Sequence, residues 1–236
     1  MSGRAHYAEV FSRLADARVL LQVWRMEQTE YTIITQSCIE TGARWLAQKE
    51  PRFAAALAEL GPLPLRLRPG GFAQLLSAIV SQQVSVASAR AILAKLEAAG
   101  MTCSNAILAS DQDSLRALGL SRQKASYAIA LAQAHINFDA LRQMPTADVI
   151  KVLTAVKGIG VWTAEIYAMF SLGRADVFAP GDLALQEGAR LLFDLSERPK
   201  ERDLRQMAQG WSPWRSVAAR LLWAYYHLCK QREGIA

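Results

Sequence analysis

Two places in this chain carry residue types at a spacing that suits chemistry. The first is Lys157-Gly158-Ile159-Gly160-Val161, set between two segments of helical pattern. Glycine tolerates positive φ and lets another backbone come close. A tight turn that opens a helix points unpaired amides outward, and the helix N-terminus adds positive potential. The turn can therefore hold a phosphate without touching a base. Lys157 adds charge beside it, and Ile159 between the glycines is suited to anchor the turn in the core. An ordinary tight turn between helices has the same residues, so the stretch alone leaves both readings open. The second place is Asp182, which follows Pro180-Gly181 where a new helical pattern starts. An aspartate there is a good N-cap. Its carboxylate can also stabilise a developing cation and accept a proton from water.

Other residue types offer less. Cys38, Cys103 and Cys229 lie far apart, fit no metal-ligand spacing and leave one thiol over in any disulfide scheme, which reads as reduced cysteines in a cytosolic protein. His6, His135 and His227 form no cluster, so no metal site built from side chains is expected. Trp162 and Trp223, taken alone, read as core residues at helical spacing.

The elements that position these residues are helices. Ala, Leu, Gln, Arg and Glu dominate, and no run alternates as a strand does. Pro51 opens a helix that runs to Leu60 before Gly61. A connector of prolines and glycines covers 61–71. Helices follow over Phe72–Val80 and from a Ser85 cap to near Gly100. A short helix is capped by Ser110 or Asp111 and closed by Gly119. Ser121 caps the next, which extends to Ala134. Thr146 caps a helix to Val156. Beyond the hairpin come helices over Val161–Leu172, from Gly181 or Asp182 to Leu192, and from Ser212-Pro213 to Lys230. Arg122 and Lys124 read as solvated charges at a helix start, with a phosphate contact as the alternative.

With 236 residues, 52% hydrophobic and 20% charged, the chain can bury one large core or two small ones. The apolar run Val19–Trp24 is too short to span a membrane and is surrounded by Arg13, Asp16, Arg18 and Arg25, which also argues against a signal peptide. A net charge of +6 and a pI near 9.4 point to an anionic partner without naming nucleic acid. Residues 1–35 connect to no motif. A docked helix, a mobile tail and an upstream extension all fit them, and Met26 offers an alternative start.

Leu153-Thr154-Ala155-Val156-Lys157-Gly158-Ile159-Gly160-Val161-Trp162-Thr163-Ala164 resembles the helix-hairpin-helix of base-excision DNA glycosylases. Asp176-Val177-Phe178-Ala179-Pro180-Gly181-Asp182-Leu183 is similar to the loop that ends on that superfamily's catalytic aspartate. Ile79-Val80-Ser81-Gln82-Gln83-Val84-Ser85 and Gly119-Leu120-Ser121-Arg122-Gln123-Lys124-Ala125 match further signatures. Pro213-Trp214-Arg215-Ser216 and Trp223 resemble the terminal helix of the alkyl-purine branch, the type II 3-methyladenine DNA glycosylases. The resemblance runs over residues 40–236.

It implies an all-α, two-lobed fold. One lobe spans 70–179 with the hairpin, the other combines 36–69 with 180–236, and the cleft lies between them. It implies Asp182 as the catalytic residue and Gln83 as the wedge that fills the gap left by an extruded base. Trp162, Trp223, Ile166 and Leu183 would line the base pocket, and Lys157, Gly158, Ile159, Gly160 and Val161 would bind DNA phosphate. The implied activity is hydrolysis of the N-glycosidic bond of alkylated purines in double-stranded DNA, by a monomer with no cofactor and no membrane. Work on DNA places such a protein in the cytoplasm of a bacterium or the nucleus of a eukaryote. A monovalent cation bridging hairpin carbonyls and phosphate is compatible with the turn.

The sequence departs from the pattern in informative ways. Bifunctional members carry a Schiff-base lysine where Trp162 stands, so no lyase activity is expected. The four-cysteine cluster loop of some relatives has only Cys229 in its region. Gly181 replaces the first of two acids often found together in the catalytic loop. Ile166 and Leu183 stand where the branch often has aromatics, which implies a different substrate range. Three rival readings remain: a glycosylase for deaminated or mismatched bases, a non-enzymatic module binding damaged DNA, and a helical scaffold.

Overall fold

The computed structural model describes residues 30–232, and the described residues from Thr32 onward belong to one compact unit. The apolar run 19–24, Met26 and most of the N-terminal segment lie outside the described residues. Ile33, at the end of that segment, is fully buried, and its N–H donates to Gly173 O at 2.6 Å.

Thirteen α-helices follow among the described residues: α1 Gln36–Lys49, α2 Pro51–Leu60, α3 Phe72–Ser81, α4 Val86–Ala98, α5 Ser104–Leu108, α6 Gln112–Ala117, α7 Arg122–Gln133, α8 Phe138–Leu141, α9 Thr146–Thr154, α10 Val161–Phe170, α11 Leu183–Phe193, α12 Glu201–Met207 and α13 Arg215–Arg232. A 3-10 turn at Ala208–Trp211 links α12 to the last loop. Strand pairing among these residues is limited to an isolated bridge between Thr32 and Arg174. The all-α expectation therefore holds.

Side-chain capping explains several helix starts. Ser85, Asp111, Ser121 and Asp182 each accept a bond from a backbone amide at the start of a helix, satisfying donors that a helix cannot satisfy itself. Asp111 rather than Ser110 is the cap of α6, and Asp182 rather than Gly181 that of α11. Thr146 is not a cap: Pro145 holds that position and Thr146 is the first helical residue. The helices α5, α8 and α12 are too short to show a periodic pattern.

The helices α1, α2, α11, α12 and α13 pack on one another, and α3 to α7 form a second group around α7. The two groups give the two-lobed arrangement. The run Ser216–Trp223 of α13 is buried all round. A Cβ on Gly188 would come within 2.5 Å of Leu222 O, so only glycine lets α11 approach α13 this closely. Burying each large apolar side chain in such a core contributes ~1.5–3 kcal/mol. The buried face of α10 carries Thr163, Ala164, Glu165 and Tyr167 to Phe170, which fixes the helix firmly behind the hairpin.

Candidate active site

The segment 176–182 is fastened along its length. Arg215 Nε and Nη2 donate to the two oxygens of Asp176 at 2.6 and 2.8 Å, and Ser212 Oγ adds a bond at 2.8 Å. Burial raises the Asp176 carboxyl, but these donors outweigh it and hold it below the usual carboxylate range. Phe178 packs edge-on to Trp211 at 5.4 Å, within a cluster that includes Phe53 and Phe193. Gln186 Nε2 donates to Pro180 O at 2.8 Å. The loop thus delivers Asp182 to the start of α11 in a fixed orientation.

Both oxygens of Asp182 are engaged. Oδ1 accepts from the amides of Ala184 and Leu185 at 2.9 and 3.0 Å and from Trp223 Nε1 at 3.1 Å. Oδ2 accepts from Trp162 Nε1 at 3.0 Å. Capping and the indole bond use up Oδ1, whereas Oδ2 keeps lone-pair capacity for a further partner. The half-buried carboxylate borders a cavity of ≈ 520 Å³ lined by Trp162, Ile166, Phe170, Trp223, Ala184, His227 and the connector residues Arg66, Leu67 and Arg68. Phe170 stacks with Trp223 at 5.8 Å between centroids, so the wall is largely aromatic. Arg220, buried beneath, lies 4.7 Å from the Phe170 ring. A second, smaller cavity between α3 and α10 shares Arg68, Trp162 and Ile166 with the first.

Asp182, Trp162, Trp223 and Ile166 are therefore brought together, from elements far apart in the chain. Leu183 is not part of this cavity. As the first residue after the cap it points outward, is 62% exposed, and borders a separate groove with Arg190, Arg198 and Lys230. Ala184 takes the wall position instead. Phe170 went unrecognised in the sequence, although Trp162, Ile166 and Phe170 recur every four residues and so share one face of α10. Trp223 and His227 have the same relation on α13. The connector residues Arg66 and Arg68 carry no periodic signal.

The glycine at 181 has a local reason. A Cβ there would lie 3.4 Å from Glu201 Oε2, so an acidic side chain would meet a second carboxylate. Glu201 and the buried Glu165 share Arg205, with Nη2 at 3.0 and 3.1 Å from them. Burial pushes Glu165 up to about 7, against the pull of Arg205 and with help from Glu201.

The hairpin between α9 and α10 has Gly158 at φ +95° and Gly160 as the N-cap of α10, where no side chain caps the helix. Ile159 is buried, while Lys157, Gly160 and Val161 are exposed. The turn thus presents backbone amides and a lysine to solvent. Gln83 is exposed at φ +54° in the turn between α3 and α4. Lys124 departs from the sequence expectation: it is buried, and its Nζ donates to Val80 O at 2.7 Å. Among the described residues no three His, Cys, Asp or Glu side chains gather as a metal site requires.

An uncapped hairpin beside an aromatic cleft with an anchored carboxylate fits a DNA base-excision protein, and comparison with known proteins shows that family. The family described as HhH-GPD superfamily base excision DNA repair protein matches residues 76–213, and this chain belongs to it. The chain is 26% identical over 193 residues to the alkylbase DNA glycosidase-like protein mag2 of Schizosaccharomyces pombe, spanning 75% of this chain and 89% of that protein. It is 30% identical over 186 residues to DNA-3-methyladenine glycosylase 2 of Escherichia coli, spanning 71% and 64%. The crystal structure of a DNA-3-methyladenine glycosidase from Bacillus halodurans superposes with a TM-score of 0.75 at 29% identity, covering 85% of this chain and 94% of that one. The S. pombe 3-methyladenine DNA glycosylase Mag1, in complex with abasic DNA, superposes with a TM-score of 0.68 at 25% identity, covering 78% and 95%.

Proposed function

We propose that this protein is a monofunctional glycosylase that hydrolyses the N-glycosidic bond of alkylated purines in duplex DNA. The observation that carries this reading is Asp182, whose Oδ2 borders an aromatic cavity while Oδ1 is fixed by three N–H donors. The relatives named for 3-methyladenine support the substrate class.

The hairpin amides and Lys157 grip a phosphate, and the target nucleotide leaves the stack. Gln83 takes the place of the missing base from the minor-groove side. The extruded purine lies against Trp162, Trp223 and Phe170, whose π-faces suit an electron-poor alkylated ring. Such a base leaves readily because it already carries positive charge, so no general acid is required of the protein. Cleavage leaves an oxocarbenium-like sugar. Asp182 Oδ2 stabilises that charge and accepts the proton of the attacking water. Trp162 stands in the place of a Schiff-base lysine, so the product is an intact abasic site. The protein acts as a monomer.

The test is base release from duplex DNA carrying 3-methyladenine or 7-methylguanine, with products identified by chromatography. Free alkylpurine and an uncleaved abasic strand are the expected products. Release of only uracil or another mismatched base would overturn the substrate class, and tight binding with no release would overturn the enzymatic reading.

A further inference from the structure

The turn that presents Gln83 is held from two sides by side chains that bond backbone carbonyls. Val80 O belongs to the last turn of α3, where carbonyls lack helical partners. Lys124 Nζ reaches it from α7 at 2.7 Å, so a buried cation meets the negative end of α3. Burial lowers the Lys124 ammonium from its ordinary value. Two residues after Val80, Gln82 Nε2 donates to Gly158 O at 2.9 Å, inside the hairpin. The same helix α7 also backs the hairpin: a Cβ on Gly158 would come within 2.3 Å of the Tyr127 ring. Lys124 and Tyr127 stand one helical turn apart. Wedge turn, hairpin and α7 therefore form a closed triangle of contacts. At its apex Gln83 is held at φ +54°, a conformation a non-glycine residue keeps only when its surroundings impose it.

We propose that Lys124 and Gln82 are positioning residues that lock the wedge turn in register with the phosphate-gripping hairpin. Once the hairpin holds a phosphate, the place where Gln83 enters the duplex is set. The proposal rests on the glycosylase reading above and adds residues that touch neither the base nor the sugar. Lys124 and Gln82 lie outside the cavity that Asp182 borders, although Gln82 lines the adjoining smaller one, so their effect falls on extrusion and not on the bond-breaking step.

This separation defines the experiment. Single-turnover base release is measured for wild type, Lys124→Met, Gln82→Leu and the double variant, each checked by thermal melting. Two substrates are used: a lesion paired in duplex, and the same lesion already unstacked in a single-nucleotide bulge. In parallel, 2-aminopurine beside the lesion reports extrusion by fluorescence. Each single variant should lose about tenfold on the paired lesion, the scale of one charge-assisted or buried hydrogen bond, and stay within about twofold of wild type on the bulge. The double variant should lose less than the product of the singles, since both act on one turn. Gln82→Leu keeps the proposal testable if Lys124→Met does not fold, because Gln82 is only half-buried. Equal losses on both substrates would make these residues plain scaffold, and no loss on the paired lesion would remove their role; either overturns the proposal. A wild type that raises the 2-aminopurine fluorescence but releases no alkylpurine would overturn the glycosylase reading while the fluorescence still judges the brace. A wild type that releases alkylpurine with the fluorescence unchanged overturns the brace alone, and one that does neither overturns both.

Discussion

Trp162 Nε1 donates to Asp182 Oδ2 at 3.0 Å, so the residue standing where a Schiff-base lysine would be needed is bonded to the candidate catalytic carboxylate. The ring can stack on a base while its N–H holds the working oxygen. Trp162→Phe separates these two roles, because it keeps a π-face and deletes the donor. The saturating single-turnover rate should fall about tenfold, the scale of one hydrogen bond to a charged group, while the concentration for half-saturation changes little. A rise in half-saturation with an unchanged rate would assign Trp162 to binding alone.

Asp182→Asn tests the carboxylate itself. Asn and Asp are comparable N-caps, so the fold and affinity for lesion DNA should be kept, with melting lowered modestly because the Asn amide nitrogen cannot accept from Trp162 Nε1. Asn supplies neither negative charge nor a base, and base release should slow by on the order of a hundredfold or more. The loss should be smaller for 7-methylguanine than for neutral hypoxanthine. A variant that folds, binds and excises both bases at wild-type rates would reduce Asp182 to a cap.

Strand cleavage offers an independent check. Lys124 Nζ is bonded to Val80 O, and Lys157 lies on the exposed hairpin. Neither belongs to the cavity that Asp182 borders. Borohydride should therefore trap no enzyme–DNA adduct, and abasic product should stay intact until heat or base is added. A trapped adduct would identify an amine nucleophile.

The two hairpin glycines should behave differently. Gly158 sits at φ +95° against the Tyr127 ring, so Gly158→Ala should lower the melting temperature and distort the hairpin. Gly160 has open space where a Cβ would stand. Gly160→Ala should still fold, with a modest loss of stability because alanine is a poorer N-cap, yet weaken binding to undamaged duplex by crowding the phosphate. Wild-type affinity should fall steeply between low and moderate salt as phosphate contacts release counterions. Salt-independent affinity would sink the phosphate role.

Glu165 predicts a pH dependence of stability. Its folded value is pushed up to about 7 from an ordinary 4.5. Between these values the folded state holds a proton that the unfolded state has lost, so stability falls as pH rises through this window. Glu165→Gln removes the titration. Melting temperature measured from pH 5 to pH 8 should decline less for this variant than for wild type, and parallel curves would show that Glu165 does not titrate there.

Capping and turn chemistry were legible in the sequence because they act within a few residues. Ser85, Ser121 and Asp182 cap helices through local bonds, and Ile159 between two glycines has one apolar direction to turn. The order of motifs, and with it the all-α class and Asp182 as the candidate carboxylate, could be read from the residues and their resemblance. Leu183 could not be placed this way, because the side that a first helical residue faces depends on how α11 lies against α13.

What the sequence determined by itself, then, was local: where helices start, where a backbone can bend toward phosphate, and which carboxylate opens a helix beside it. Only the tertiary structure decided what surrounds that carboxylate. The indole N–H groups of Trp162 and Trp223 come from 20 and 41 residues away in the chain, and Lys124 crosses 44 to reach Val80. The physical reason is that a tryptophan or a lysine has the same helical propensity whether its polar end meets water, a carboxylate or a carbonyl. Which partner it meets is set by the packing of whole helices, and that packing is a sum over many apolar contacts that no single motif encodes.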